Sequence, residues 1–243
     1  MKKNALSLFL VFALTLSLIV FVGCTNQGVR EFEDTDAISI LFVGNSFVFF
    51  GDIPGQLQAI ANANDVEVVY IDISAGGATL SSSRRNAVRE MRNGRFDYVV
   101  LQDQSRRPLN DINGFLRDVR SLSDTARENG ATPVLYNPAW ANINGQPDEE
   151  LQNLLTSAYQ RAAEENNAIL VNAGDAWVYA YRTISGLSLY HEDEFHANDE
   201  GAFLTASVFA ATLFDLRIEE IPQNSSGTID LAQAAWNFVH SSR

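Results

Sequence analysis

Past residue 37 the chain alternates short apolar runs with stretches of helical periodicity. Ile38–Val43, Val66–Ile73, Tyr98–Leu101, Thr132–Tyr136 and Ala168–Val171 are rich in Val, Ile and Leu and do not alternate strictly. That is the pattern of strands covered on both faces. Between them, Ile112, Phe115, Leu116 and Val119 recur at helical spacing, as do Leu151, Leu154, Leu155 and Tyr159. Pro147-Asp148-Glu149-Glu150 is expected to open the second of these helices, with proline and acids where the N-terminal dipole favours them. Further helices are predicted over Ile53–Asn64, Leu80–Arg92, Ala173–Thr183, Asp199–Phe214 and Ile229–Val239. Five strands with helical crossovers imply an α/β domain of three layers, α/β/α, around a five-stranded parallel sheet. In such folds chemistry sits past the carboxyl ends of the strands, near the switch in strand order.

The N-terminal pattern is different. Met1-Lys2-Lys3-Asn4 is a short basic start, followed from Ala5 to Val22 by an apolar run broken only by Ser7, Thr15 and Ser17. Such a run suits either a bilayer-spanning helix or a long secretory segment. Phe21-Val22-Gly23-Cys24 resembles the bacterial lipobox, in which a small residue precedes a cysteine that is lipidated and becomes the mature N-terminus. The other reading is an uncleaved anchor with an incidental cysteine. Both put the folded part outside the cytoplasm, tethered to a membrane. The expected organisation is therefore a signal peptide over residues 1–23, a polar, acidic spacer over 24–36 and one domain over 37–243.

Composition narrows the partners. With 17 Lys plus Arg against 30 Asp plus Glu, the formal charge is −13, which argues against nucleic acid or an anionic lipid surface as the main partner. A hydrophobic content of 46% with 15 Phe is too high for a disordered chain. One cysteine excludes an internal disulfide and any cysteine-clustered metal site. Oligomeric state is not legible.

Two segments carry candidate chemistry. The first strand runs into Gly44-Asn45-Ser46-Phe47, where Gly44 permits a tight turn and Ser46 is presented at the sheet's carboxyl edge, as a nucleophile or a helix cap. The Gly-x-Ser-x-Gly elbow is absent, because Val48 stands at the second glycine. Near the other end, Asp193-Glu194-Phe195-His196 separates carboxylate and imidazole by three residues. In a loop, that spacing lets Asp193 reach the Nδ1–H and leave Nε2 free to take a proton from a hydroxyl, though a solvated or capping histidine is the plainer reading. His191 and His196 nearly spell the zinc motif His-Glu-x-x-His, but five positions apart they diverge by roughly 140° on a helix, so no metal is expected. No phosphate-binding or dinucleotide glycine pattern occurs, and no cofactor is called for.

Together these segments resemble the SGNH (GDSL-type) esterases and lipases, named for catalytic Ser, Gly, Asn and His in four separated blocks. Gly44-Asn45-Ser46 resembles the first block, with Asn45 in place of the usual Asp. Ser74-Ala75-Gly76-Gly77-Ala78-Thr79 resembles the glycine block, with Gly77 the best match. Leu101-Gln102-Asp103-Gln104-Ser105 stands where the third block falls, with Gln104 in register with the family's Asn, as in a branch that carries Leu-Gln-x-Gln-Ser. Asp193-x-x-His196, with Gly201 beyond it, resembles the last block. The resemblance implies an SGNH-hydrolase, flavodoxin-like fold and a catalytic triad of Ser46, His196 and Asp193. It also implies an oxyanion hole from the backbone of Ser46 and Gly77 and the Gln104 amide.

The reaction so implied is ester hydrolysis through an acyl-enzyme. The imidazole must be neutral to accept a proton, so the rate is expected to rise with pH. Glycan deacetylation is the first substrate expectation, and short-chain lipid or xenobiotic esters the second. Trp140, after the fourth strand, either stacks on a sugar or packs under a loop, while Trp177 and Tyr181 have the spacing of a core stripe. Arg106 and Arg107 either greet an anionic substrate or, the plainer reading for two arginines in a loop, face solvent, and His240 is expected to be incidental. The competing class is a surface lipoprotein that binds glycan or another ligand on the same scaffold with its catalysis decayed, which the Gln104 replacement makes credible.

Overall fold

A computed structural model describes residues 36–140, 142–223 and 225–241. The apolar leader and Cys24 lie outside the described residues. Among the described residues no helix is long and apolar enough to cross a membrane.

The core is a parallel sheet of β1 (Ile38–Val43), β2 (Val68–Asp72), β3 (Tyr98–Leu101), β4 (Thr132–Asn137) and β7 (Ile169–Asn172), in the order β2-β1-β3-β4-β7. A two-stranded antiparallel hairpin, β5 (Asn142–Ile143) and β6 (Gln146–Pro147), lies outside it. The expected three-layer α/β/α architecture is the observed one. Alternation along β1 shows why the strands read as continuous apolar runs. Ile40 and Phe42 pack into one layer, Leu41 and Val43 into the other, and all four are at most 1% exposed.

One layer holds α2 (Ile53–Ala63), α7 (Ala173–Thr183), α8 (Asp199–Phe214) and α9 (Ile229–Ser241). The other holds α3 (Leu80–Asn93), α5 (Ile112–Glu128) and α6 (Glu149–Glu165). Two single-turn helices, α1 (Ser46–Phe49) and α4 (Arg107–Asn110), stand at the carboxyl edge of the sheet. α8 is apolar on every side and is buried from Gly201 to Ala211, sandwiched against α2, α7 and α9. Gly201 is required by that packing, since a Cβ there would lie 2.3 Å from the Leu189 carbonyl oxygen and 2.6 Å from Trp177.

Pro147 does not open α6. It belongs to β6, and the helix is capped by Asp148, whose carboxylate accepts the Leu151 N–H at 3.1 Å. Proline at that point ends an extended segment, and the acids of the first helical turn are Glu149 and Glu150. The strand order reverses at β1, with β2 on one side and β3 on the other, so the crevice of the fold opens between the carboxyl ends of β1 and β3.

Candidate active site

The turn after β1 is shaped by close approach. A Cβ on Gly44 would lie 2.5 Å from Val48 Cγ2 and 2.8 Å from Gln102 Oε1, so only glycine fits. Asn45, not Ser46, is the helix cap: its Oδ1 accepts the Phe47 N–H at 3.1 Å. The Asn45 amide also donates to the carbonyls of Ala78 at 3.1 Å and Asp103 at 3.2 Å, tying the first block to the glycine block and the third. A carboxylate accepts only and could not make those two bonds, which accounts for an amide at this position. From β4, the Tyr136 hydroxyl donates to the Phe47 carbonyl at 3.2 Å. Ser46 is thereby held, half-buried, as the first residue of α1.

The loop before α8 is equally constrained. The His191 N–H donates to the His196 carbonyl at 2.8 Å and the Asn198 N–H to the Leu189 carbonyl at 2.9 Å. Asn198 caps α8 by accepting the Gly201 N–H at 2.9 Å. Within the loop, Asp193 Oδ1 accepts the N–H groups of Phe195 at 3.0 Å and His196 at 2.9 Å, while Oδ2 lies 2.7 Å from His196 Nδ1. A carboxylate with no proton of its own fixes the hydrogen on Nδ1, leaving Nε2 as the acceptor. That atom stands 2.8 Å from Ser46 Oγ, across 150 residues of sequence. Phe50 stacks on the imidazole at 4.4 Å between ring centres, and Phe47 and Phe195 flank it at 5.1 and 5.0 Å.

Burial of Asp193 opposes its ionisation, but the imidazole hydrogen bond and the two backbone N–H groups outweigh it and hold the carboxyl down at about 2. A folded-state value below the ordinary one means that this carboxylate stabilises the fold above a pH of about 4, and that the contribution is lost as the pH falls through about 2. The stability gap between the protein and Asp193→Asn, read from urea unfolding, is therefore expected to be constant above pH 4 and to shrink toward pH 2. A gap that stayed constant down to pH 2 would contradict the hydrogen-bonded carboxylate.

Gly77 lies in an open turn with a φ of 65°, where an added Cβ would meet nothing within 4 Å. Among the described residues, neither the Ser46 nor the Gly77 N–H donates to a protein group. Gln104 bends back on its own loop: its Oε1 accepts the Arg106 N–H at 3.0 Å and its Nε2 donates to Ser105 Oγ at 3.1 Å. One hydrogen of that amide is left over.

The residues that sequence reasoning missed lie beneath this loop. Gln102 is fully buried, its Oε1 accepting the Asn45 N–H at 3.0 Å and its amide donating to the Asp103 carbonyl. Asp103 is fully buried too, and burial pushes its carboxyl up. It accepts the N–H groups of Leu80 at 3.0 Å and Gln104 at 2.7 Å and pairs with Arg107 Nη1 at 2.8 Å. Arg107 also pairs with the buried Asp118 on α5. Arg107 thus does not face solvent; its side chain is only 13% exposed. The i, i+4 spacing of Asp103 and Arg107 permits their pairing, but nothing in it announces burial.

Trp140 is 6% exposed and packs against Phe195 beneath the guanidinium of Arg106, so it fills space under the loop. Trp177 is buried, while the Tyr181 hydroxyl donates to the Gly145 carbonyl at 3.0 Å. His240 stacks on Trp236 and contacts Asp215. His191 lies beside Asp193 and against Phe50 rather than sharing a centre with His196. Among the described residues, no three His, Cys, Asp or Glu side chains converge as a metal site.

Sheet order and flanking helices define the fold as that of the SGNH hydrolases, and solved structures agree. A Slackia heliotrinireducens protein assigned to the SGNH hydrolases is 28% identical, with a TM-score of 0.61, over 73% of this chain and all of that one. A DUF4886 family protein from Bacteroides uniformis is 17% identical, with a TM-score of 0.72, over 85% of this chain and 96% of that one. A catalytic mutant of an acetylxylan esterase from Geobacillus stearothermophilus is 16% identical, with a TM-score of 0.57, over 72% of this chain and 94% of that one. No family model and no curated protein matches the chain by sequence.

Proposed function

We propose that the chain is a serine ester hydrolase acting on acetylated glycans outside the cytoplasm, at a membrane to which a lipid on Cys24 tethers it. The observation that carries this reading is the continuous row Asp193–His196–Ser46, with contacts of 2.7 and 2.8 Å. Ser46 Oγ attacks the ester carbonyl carbon as His196 Nε2 takes the hydroxyl proton, and Asp193 stabilises the imidazolium. The oxyanion is held by the N–H groups of Ser46 and Gly77, with the remaining hydrogen of the Gln104 amide as a third donor. His196 returns its proton to the departing alcohol. It then deprotonates a water that splits the acyl-enzyme, releasing the acid and restoring the Ser46 hydroxyl.

The acetylated-glycan assignment draws on the acetylxylan esterases that share the fold. The engagement of the Gln104 amide with Ser105 favours the second reading, a glycan-binding protein on the same scaffold. The two separate in one experiment. A fluorophosphonate probe is expected to modify Ser46, and a panel of p-nitrophenyl esters and acetylated xylo-oligosaccharides to be hydrolysed. A folded protein that gave neither the adduct nor any turnover would leave only the binding reading.

A further inference from the structure

Helix α3 carries charge of the opposite sign to the rest of the molecule. Arg84, Arg85, Arg89 and Arg92 are exposed along it, and Arg95 follows its C-terminal end, in a chain whose formal charge is −13. The helix holds one acid, Glu90, which pairs with Arg89 at 2.9 Å. Arg84, Arg85, Arg92 and Arg95 form no ion pair among the described residues. Arginines on the other helices behave differently: Arg117, Arg120, Arg127, Arg161 and Arg182 each meet an aspartate or glutamate within 4.0 Å. Unpaired cations are therefore concentrated on one helix.

That helix is anchored to the catalytic edge. Its first N–H, of Leu80, donates to Asp103, and the carbonyl of Ala78 just before it accepts from Asn45. The loop held by Asp103 also carries Arg106, a further exposed arginine with no acidic partner among the described residues, lying over Trp140. The cations of α3 thus run away from a helix end that is tied to the site, and along it Arg85 and Arg92 share a column about 10 Å long. Beside it a shallow, open groove of about 950 Å3 is lined by the four arginines within α3 together with Ser81, Ser82, Asn86 and Asn93.

We propose that this α3 track binds an anionic polysaccharide, a glycan bearing carboxylates along its length, and so directs the esters of that polymer to Ser46. The inference rests on the hydrolase reading only in this last step. Guanidinium groups pair with carboxylates through two parallel hydrogen bonds, and hydroxyls and amides in the same groove suit sugar hydroxyls. A thin chain can follow one helix without bringing its charges against the acidic remainder, whereas a flat anionic membrane cannot. Helix α3 has no aromatic side chain to stack a base, which disfavours single-stranded nucleic acid.

The test uses the full chain in detergent, electrophoresed through gels containing polygalacturonate or neutral xylan. The protein and Ser46→Ala are expected to be slowed by polygalacturonate alone and released by added salt, and Arg85→Glu/Arg92→Glu to run freely. On acetylated polygalacturonate that double variant should lose about tenfold in kcat/KM, since two weak exposed pairs turn repulsive, while p-nitrophenyl acetate turnover stays unchanged. Equal retardation of the double variant, equal retardation by xylan, or tighter binding to phosphatidylglycerol vesicles or single-stranded DNA would each overturn the proposal. Retardation without turnover of any ester would instead remove the hydrolase reading and leave the surface standing.

Discussion

Ser46→Ala is expected to lower ester turnover on the order of 10⁵–10⁶-fold, because it removes the hydroxyl that His196 Nε2 faces and leaves only the residual acceleration that oxyanion donors and substrate binding supply. Gln104→Ala should behave differently. On the mechanism proposed above it removes one oxyanion donor of three and leaves the attacking row intact, so the rate should fall by about 10²–10³. The intermediate size of that effect is the informative part. Gln104 is one methylene longer than the Asn that it resembles in SGNH hydrolases, and one of its amide hydrogens is already committed to Ser105 Oγ. A Gln104→Ala enzyme with undiminished kcat would show that the N–H groups of Ser46 and Gly77 hold the oxyanion unaided. Wild-type turnover in Ser46→Ala on p-nitrophenyl acetate would remove the nucleophile assignment altogether.

Legibility in the sequence followed the length of the pattern and the distance to the partner. β1, β3, α7 and α8 have the bounds that their apolar runs predict, because each is long enough for periodicity or continuous burial to show. The single turns α1 and α4 and the β5–β6 hairpin are too short to carry any period, so Pro147 reads as the start of the neighbouring helix. Ser46, Asp193 and His196 could be picked out because the residues around them resemble known blocks, and because three positions between carboxylate and imidazole suffice for a local contact. Gln102, Asp103 and Arg107 could not. A polar run after a strand reads as solvated loop, and what buries it are Leu80, Asp118 and Tyr159, distant residues that nothing local announces. Asn45 lay between these cases. Its place in the first block is legible from the resemblance, whereas its bonds to Ala78 and Asp103 depend on two other blocks folding beside it.

That buried layer carries the other large expected effect. Arg107→Met should destabilise the protein by about 3–5 kcal/mol, since it strands two carboxylates that the guanidinium now joins. The side chains of Asp103 and Asp118 are 0% and 6% exposed, so water cannot replace the lost partner. Arg106→Met, one residue away on the surface, should cost no more than about 0.5 kcal/mol. The pH dependence of the deficit identifies its cause. Burial already pushes the Asp103 carboxyl up, and without Arg107 no cation among the described residues pairs with it to resist that. A group whose folded-state value lies above its unfolded one stabilises at low pH and loses that contribution as the pH rises. The Arg107→Met deficit should therefore be smaller at pH 5 than at pH 8, and Arg107→Met/Asp103→Asn should recover part of it at pH 8. Turnover should fall along with stability, because Gln104 is positioned by its N–H bond to Asp103. If urea unfolding gave Arg107→Met and Arg106→Met the same small deficit at both pH values, the Asp103–Arg107–Asp118 layer would not be what holds the third block beneath the site.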